Sequence, residues 1–286
     1  MFVLRLTAIA LVAAIVPIGA GAGPAGLVPA SPATTFAPRQ GSDQTLSTNW
    51  AGYAITATDP AGAGTTTSFS DVTGTWTQPK VRCLKGEVGA AAFWVGLGGW
   101  DQSSRALEQI GTEADCNQHG QVSYSAWYEL VPSGPVTLAL TIHPRDRVSA
   151  AVVVSGSQVV FSLKNLTRHT RFSKRLTPSF QVDTGSAEWI AEAPSLCRTN
   201  GRCTVVPLTN FGTMSFSSAA AIGNGHPGTI SDTTWSPSQV VLAPNPGTQT
   251  QFGVVVNTHG AVPSATSADG RSFSVSWRRS VSVTGG

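Results

Sequence analysis

The sequence predicts an all-β protein built as a two-sheet antiparallel β-sandwich. Three observations predict it. Short apolar runs recur along the chain and many alternate with period two, the spacing that puts successive side chains on opposite sheet faces. Turn residues separate most of them, and the 286 residues include 30 Gly and 18 Pro. No stretch beyond the N-terminal region sustains a helical apolar period over three turns, and charged residues are only 12% against about a quarter in an average domain.

Taken in order, the candidate strands are Trp50–Thr58, Phe69–Trp76, Ala90–Val95, Leu107–Thr112, Gln121–Glu129, Val136–Ile142 and Arg147–Val154. They continue with Val159–Asn165, Thr170–Leu176, Ala187–Glu192, Thr213–Ser217, Gln251–Asn257 and Ser272–Trp277. Pro144-Arg145-Asp146 and Ser155-Gly156-Ser157 read as hairpin connections, the second between the β-branched runs Val152-Val153-Val154 and Val159-Val160-Phe161. His259–Asp269 is turn-rich and reads as a long loop before the last strand.

The N-terminal region has a different character. A basic start at Arg5 leads into the apolar run Leu6–Val16, shorter than the roughly 20 residues of a membrane span. Residues 1–25 therefore read as an export signal, with cleavage near Ala20, Ala25 or Ala33, and an N-terminal membrane anchor is the competing reading. Residues 26–46 read as a propeptide or flexible leader, 47–279 as one β-sandwich domain and 280–286 as a tail. The expected product is secreted, with no stable membrane association once the signal is removed.

Four cysteines fit an exported chain. Cys197 and Cys203 enclose a short basic loop and form the natural close pair, which leaves Cys83 to pair with Cys116. Zinc is the weaker reading, because neither pair has two-residue spacing and His119 is the sole histidine near any cysteine. The formal charge of +3 is too small to signal a nucleic-acid partner. No nucleophile elbow, zinc-binding helix, phosphate loop or dinucleotide fingerprint occurs.

Carboxylates are scarce, and the glutamates number six: Glu87, Glu108, Glu113, Glu129, Glu188 and Glu192. Ala126-Trp127-Tyr128-Glu129-Leu130 puts Trp127 and Glu129 on one strand face. In Ala187-Glu188-Trp189-Ile190, Glu188 and Ile190 share a face and Trp189 takes the other. A mid-strand glutamate belongs on a wet outer face or in a cleft, where partial burial raises its pKa and suits it to acid–base work.

With these segments in hand, the chain resembles the glutamic peptidases, the eqolisin family of secreted, acid-active endopeptidases. The likeness runs through Asn49-Trp50-Ala51-Gly52, Val72–Trp76, Phe93–Gly99, Leu107–Gly111, Ala126–Glu129 and Ala187–Ile190, in family order. It implies two large curved antiparallel sheets of the concanavalin A-like or jelly-roll kind. It implies Gln109 and Glu188 as the catalytic pair on an exposed concave face, with Trp94, Trp127 and Glu129 lining and supporting the cleft. Polypeptide substrates, a monomeric enzyme and no metal or organic cofactor follow from the same likeness. Fungal members carry aspartates where this chain has Gly98-Gly99 and Ser125, so the sequence reads as short of acidic neighbours in the cleft.

A Gln–Glu pair has the right chemistry. A carboxylate takes a proton from water and returns one to the departing amine, while an amide N–H stabilises the oxyanion. With Glu188 near an ordinary glutamate pKa of about 4.3, cleavage is expected near pH 2–5. A carbohydrate-binding module and a glycoside hydrolase using Glu129 and Glu188 are the competing readings.

Overall fold

The computed structural model describes residues 44–57, 67–101, 104–197, 203–243, 250–251, 254–255 and 259–281. The regular elements among them are all strands. The first ten are β1 (Gln44–Ser47), β2 (Trp50–Ala57), β3 (Phe69–Thr77), β4 (Gly89–Gly98), β5 (Leu107–Cys116), β6 (Val122–Val131), β7 (Val136–Thr137), β8 (Arg147–Ser155), β9 (Gln158–Asn165) and β10 (Thr170–Leu176). The rest are β11 (Ser186–Glu192), β12 (Ser195–Cys197), β13 (Cys203–Val205), β14 (Thr213–Gly223), β15 (His226–Gly228), β16 (Trp235–Leu242), β17 (Thr250–Gln251), β18 (Val254–Val255), β19 (Gly260–Pro263) and β20 (Phe273–Arg278).

One hydrogen-bonded path runs β10-β9-β8-β3-β14-β20-β19-β16-β2-β11-β4-β5-β6-β7. The sheet curls back on itself, so that β3 and β8 pack face to face against β4, with β3 also against β11 and β8 and β9 against β5. Period-two alternation explains this directly. In β8, Val148, Ala150, Val152 and Val154 point inward while the residues between them do not. They meet Phe93, Val95, Leu97, Ile110 and Trp189 from the opposing half in one apolar core. Two of the core indoles are satisfied across the layers: Trp76 Nε1 donates to Thr112 Oγ1 at 3.0 Å and Trp189 Nε1 to the Thr73 carbonyl at 2.7 Å.

Strands β2 through β6 and β8 through β11 match the expected segments within a few residues. Val136–Ile142 shortens to the two residues of β7, although Leu138, Leu140 and Ile142 still bury alternately. Alternation there records burial against the core without a full ladder. Strands β1, β16 and β19 were not expected. β1 begins three residues ahead of the expected domain start at 47 and pairs in parallel with β16, and β16 carries Pro237 inside the strand. Gly260–Pro263 pairs with β20 inside the segment read as loop.

Cys83 and Cys116 form a disulfide that ties the segment before β4 to the end of β5. Cys197 and Cys203 stand opposite one another in the β12–β13 register; the bond expected there rests on side chains outside the described residues, as do the basic loop between them, the export signal and the leader through residue 43. Asn165, which heads a formal glycosylation triplet, is buried. Its amide nitrogen donates to Asp146 Oδ2 at 2.7 Å and to the Thr141 carbonyl at 3.2 Å, so the fold uses the atom a glycan would need.

Candidate active site

Four neighbouring strands, β11, β4, β5 and β6, carry the residues of interest. Their register aligns Glu188 with Gly96, Gly96 with Gln109, and Gln109 with Glu129. Directly paired residues point to the same face of a sheet, so these four form a single row across it. The next row on that face holds Ile190, Trp94, Gly111 and Trp127, and the one beyond holds Glu192, Ala92, Glu113 and Ser125. All of these side chains turn away from the inter-layer core. Trp127 and Glu129 do share a face, and Glu188 and Ile190 do too, with Trp189 on the other.

Gly96 sets the geometry of the row. Two strand spacings, about 10 Å, separate the Gln109 and Glu188 backbones, and glycine between them leaves that span without a side chain. A Cβ on Gly96 would come within 2.9 Å of the Trp94 ring and 3.2 Å of the Gln109 Cβ.

Gln109 Nε2 donates to Glu129 Oε2 at 2.6 Å. Glu129 Oε2 accepts from this end of the amide, which leaves the second N–H and Oε1 of Gln109 available. Trp94 Nε1 donates to Glu192 Oε2 at 2.8 Å, and Asn49 Nδ2 donates to Glu192 Oε1 at 3.0 Å. Trp94 also meets Trp50 edge to face, with ring centroids 4.9 Å apart.

The expected exposure is not what the structure shows. Gln109 and Glu188 are both 0% exposed, and Trp94, Trp127 and Glu129 are buried with them. Burial therefore pushes the Glu188 carboxyl well above its ordinary 4.5; the Ser186 hydroxyl pulls it back, and the charges of Asp183 and Glu108 add to the rise. The expectation of an ordinary pKa fails because period two reports a face and says nothing of what closes over it. Burial likewise raises Glu129 to about 8, against the opposing bond from Gln109. Glu113 and Asp115 are both pushed up by burial, and each lies close enough to the other for their carboxyls to share a proton.

Among the described residues, Trp50 and Trp127 Nε1, Gln109 Oε1 and both Glu188 oxygens lie buried on this face without a close hydrogen bond, the Ser186 hydroxyl standing near Glu188, while Glu113 and Asp115 meet each other. On the core face the indoles are satisfied. Orphaned polar groups are rare in folded proteins, and their concentration here marks a surface built to bond something besides the fold.

Sequence reasoning missed three contributors. Glu192 orders Trp94, Glu113 sits opposite Ser125, and Asp183 enters from the segment before β11. The first two were visible as face-sharing carboxylates. Asp183 gave no local signal, and it corrects the reading that Gly98-Gly99 leaves the cleft short of an acidic neighbour. His119 is exposed, and Trp76 and Trp189 belong to the core.

Comparison with known proteins places the chain in a family. Residues 48–253 match the model of the Peptidase A4 family. The chain is 27% identical over 214 residues to Aspergillopepsin-2 of Aspergillus niger, covering 67% of this chain and 70% of the relative. Among solved structures, scytalido-glutamic peptidase with a transition state analog inhibitor superposes with a TM-score of 0.62 at 23% identity, over 80% of this chain and 98% of that one. SCP-B, a member of the Eqolisin family solved with a tripeptide, gives 0.59 at 23% identity and the same coverage. Those likenesses carry the β-sandwich fold, and the family match carries the activity: this chain belongs to the Peptidase A4 family of glutamic-type endopeptidases.

Proposed function

We propose that the chain is a secreted acid endopeptidase in which Glu188 and Gln109 act together on a water seated over Gly96. The observation that carries this is the register row Glu188–Gly96–Gln109–Glu129. Neither Glu188 oxygen accepts a close hydrogen bond, the Ser186 hydroxyl standing nearby, and Gln109 Oε1 has no partner among the described residues, which leaves acceptors for a water on both sides of the gap. Water or substrate bound there stabilises the charged carboxylate by hydrogen bonding and offsets the burial that keeps it neutral.

In that ionised form Glu188 takes a proton from the water as its oxygen attacks the scissile carbonyl carbon. The carbonyl oxygen becomes an oxyanion and accepts the second N–H of Gln109, whose orientation Glu129 holds. As the C–N bond breaks, Glu188 passes its proton to the leaving nitrogen, giving a carboxylic acid and an amine. Proton and atom balance close with water alone. Export is supported by the Cys83–Cys116 disulfide, a bond typical of oxidising compartments.

Gln109→Ala tests the amide's part. Digestion of a denatured protein at several acidic pH values, read by mass spectrometry, should show kcat lowered by about a hundredfold to a thousandfold, the usual loss for one oxyanion donor. Cleavage at the unaltered rate by a folded Gln109→Ala protein would remove Gln109 from the reaction.

A further inference from the structure

We propose that Asp183 is a positioning residue, whose carboxylate clamps the strand carrying Gln109 to the strand carrying Glu188. This rests on the reading of those two residues as the reacting pair.

Gly98 ends β4 with φ +81, two residues beyond Gly96 on the same face. A Cβ there would lie 2.5 Å from the Asp183 Cβ, 2.6 Å from its carbonyl oxygen and 2.8 Å from its Cγ. Asp183 thus fills the place a side chain at 98 would take, and only glycine lets it in. Its Oδ2 accepts the Gly99 N–H at 3.0 Å and the Ser104 hydroxyl; its Oδ1 accepts the Gly185 N–H at 2.8 Å. Its own backbone N–H donates to Glu108 Oε1 at 3.4 Å.

These contacts reach three of the four strands that set the row, β4, β5 and β11. Gly99 follows β4, Ser104 precedes β5, Glu108 adjoins Gln109, and Gly185 immediately precedes β11, three residues before Glu188. One carboxylate therefore joins three strand ends, at the end of the row where no ladder continues past Gly98 and Ser186. Strand pairing alone sets the residues opposite each other; the clamp restrains how β5 and β11 move relative to β4. Such alignment acts on the chemical step, because a small misplacement of reacting groups is expensive in rate while ground-state substrate contacts are untouched.

The test is steady-state kinetics on a peptide substrate for Asp183→Ala and Asp183→Asn, with a thermal melt of each and with Glu188→Gln and Gln109→Ala alongside. The clamp predicts kcat lowered about tenfold to a hundredfold and KM within about threefold of the parent in Asp183→Ala. Asp183→Asn, which keeps an acceptor oxygen, should recover part of that loss. A lower melting temperature with kcat intact would overturn the proposal and leave Asp183 a stabilising contact only. If Asp183→Ala does not fold, Asp183→Asn decides: reduced kcat at constant KM supports the clamp, and unchanged kcat overturns it. Loss of cleavage in Glu188→Gln and Gln109→Ala with kcat unchanged in both Asp183 variants would sink the clamp alone. Retained cleavage in the first two would sink the reading beneath it.

Discussion

Individual residues show how little of the chemistry rests on charge pairing. Gln109 is held by Glu129 at 2.6 Å, a bond that restrains the amide's orientation as well as its place. Glu129→Ala should therefore lower kcat about tenfold or more through loss of preorganisation, with KM changing less. Kinetics on the folded variant check it, and an unaltered kcat would show that the strand alone orients Gln109. Gly96 makes the complementary case. Gly96→Ala puts a methyl group 2.9 Å from the Trp94 ring and 3.2 Å from the Gln109 Cβ, and overpacking of this kind typically costs about 1–3 kcal/mol. A melt should show that loss together with reduced cleavage; full activity would mean the space above Gly96 is not used. Residue types and faces were legible at this scale: Glu188, Gln109, Trp127 and Glu129 all sit on the side that alternation and resemblance imply. What closes that side was not legible, because burial depends on segments distant in sequence.

Among the strands, those with clean alternation could be read from the chain, and those shaped by long-range pairing could not. Thr170–Leu176 coincides with β10, while β16 hid behind Pro237 and its small polar neighbours. β1 is stabilised by parallel pairing with a strand nearly two hundred residues away, for which no local pattern exists. Asp183 belongs with these: its partners Gly99 and Ser104 come from another connection altogether. The disulfide Cys83–Cys116, with a sequence separation of 33, closes a loop whose entropy is worth about 3–4 kcal/mol in the unfolded chain. Cys83→Ser should lower denaturant stability by up to that amount while leaving the Glu188–Gly96–Gln109–Glu129 row assembled. Loss of activity at full stability would be the unexpected result.

Across the whole molecule, buried carboxyls tie stability to pH. Burial raises Glu108 to about 9, with the Asp183 N–H opposing, and raises Glu129 to about 8; Glu113 and Glu188 move the same way. Unfolded, these groups ionise near 4.5. At intermediate pH the folded chain holds protons that the unfolded chain releases, so raising the pH favours unfolding. Their contribution is complete below about 4.5 and is lost as the pH rises through 8 and 9. Asp146 and Asp232, lowered overall because their hydrogen bonds outweigh burial, act in the opposite sense and only as the pH falls below 3.8. The melting temperature should therefore be highest in acid and fall steadily toward pH 8. A melting temperature that rises from pH 4.5 to 7 would contradict this. An acid-stable fold suits the acid operation proposed here, with Glu188 acting in the fraction of molecules where bound water has ionised it.

Glu188, across the Gly96 gap from Gln109, is the base in the proposed reaction. Replacement of Glu188 by glutamine keeps the shape and removes the proton acceptor, so one measurement addresses it: the initial cleavage rate of purified Glu188→Gln, compared with the parent over pH 2–6 on protein whose melt confirms the fold. A loss of at least about a hundredfold is expected at every pH. A folded Glu188→Gln protein that cleaves peptide at close to the parent rate would contradict it.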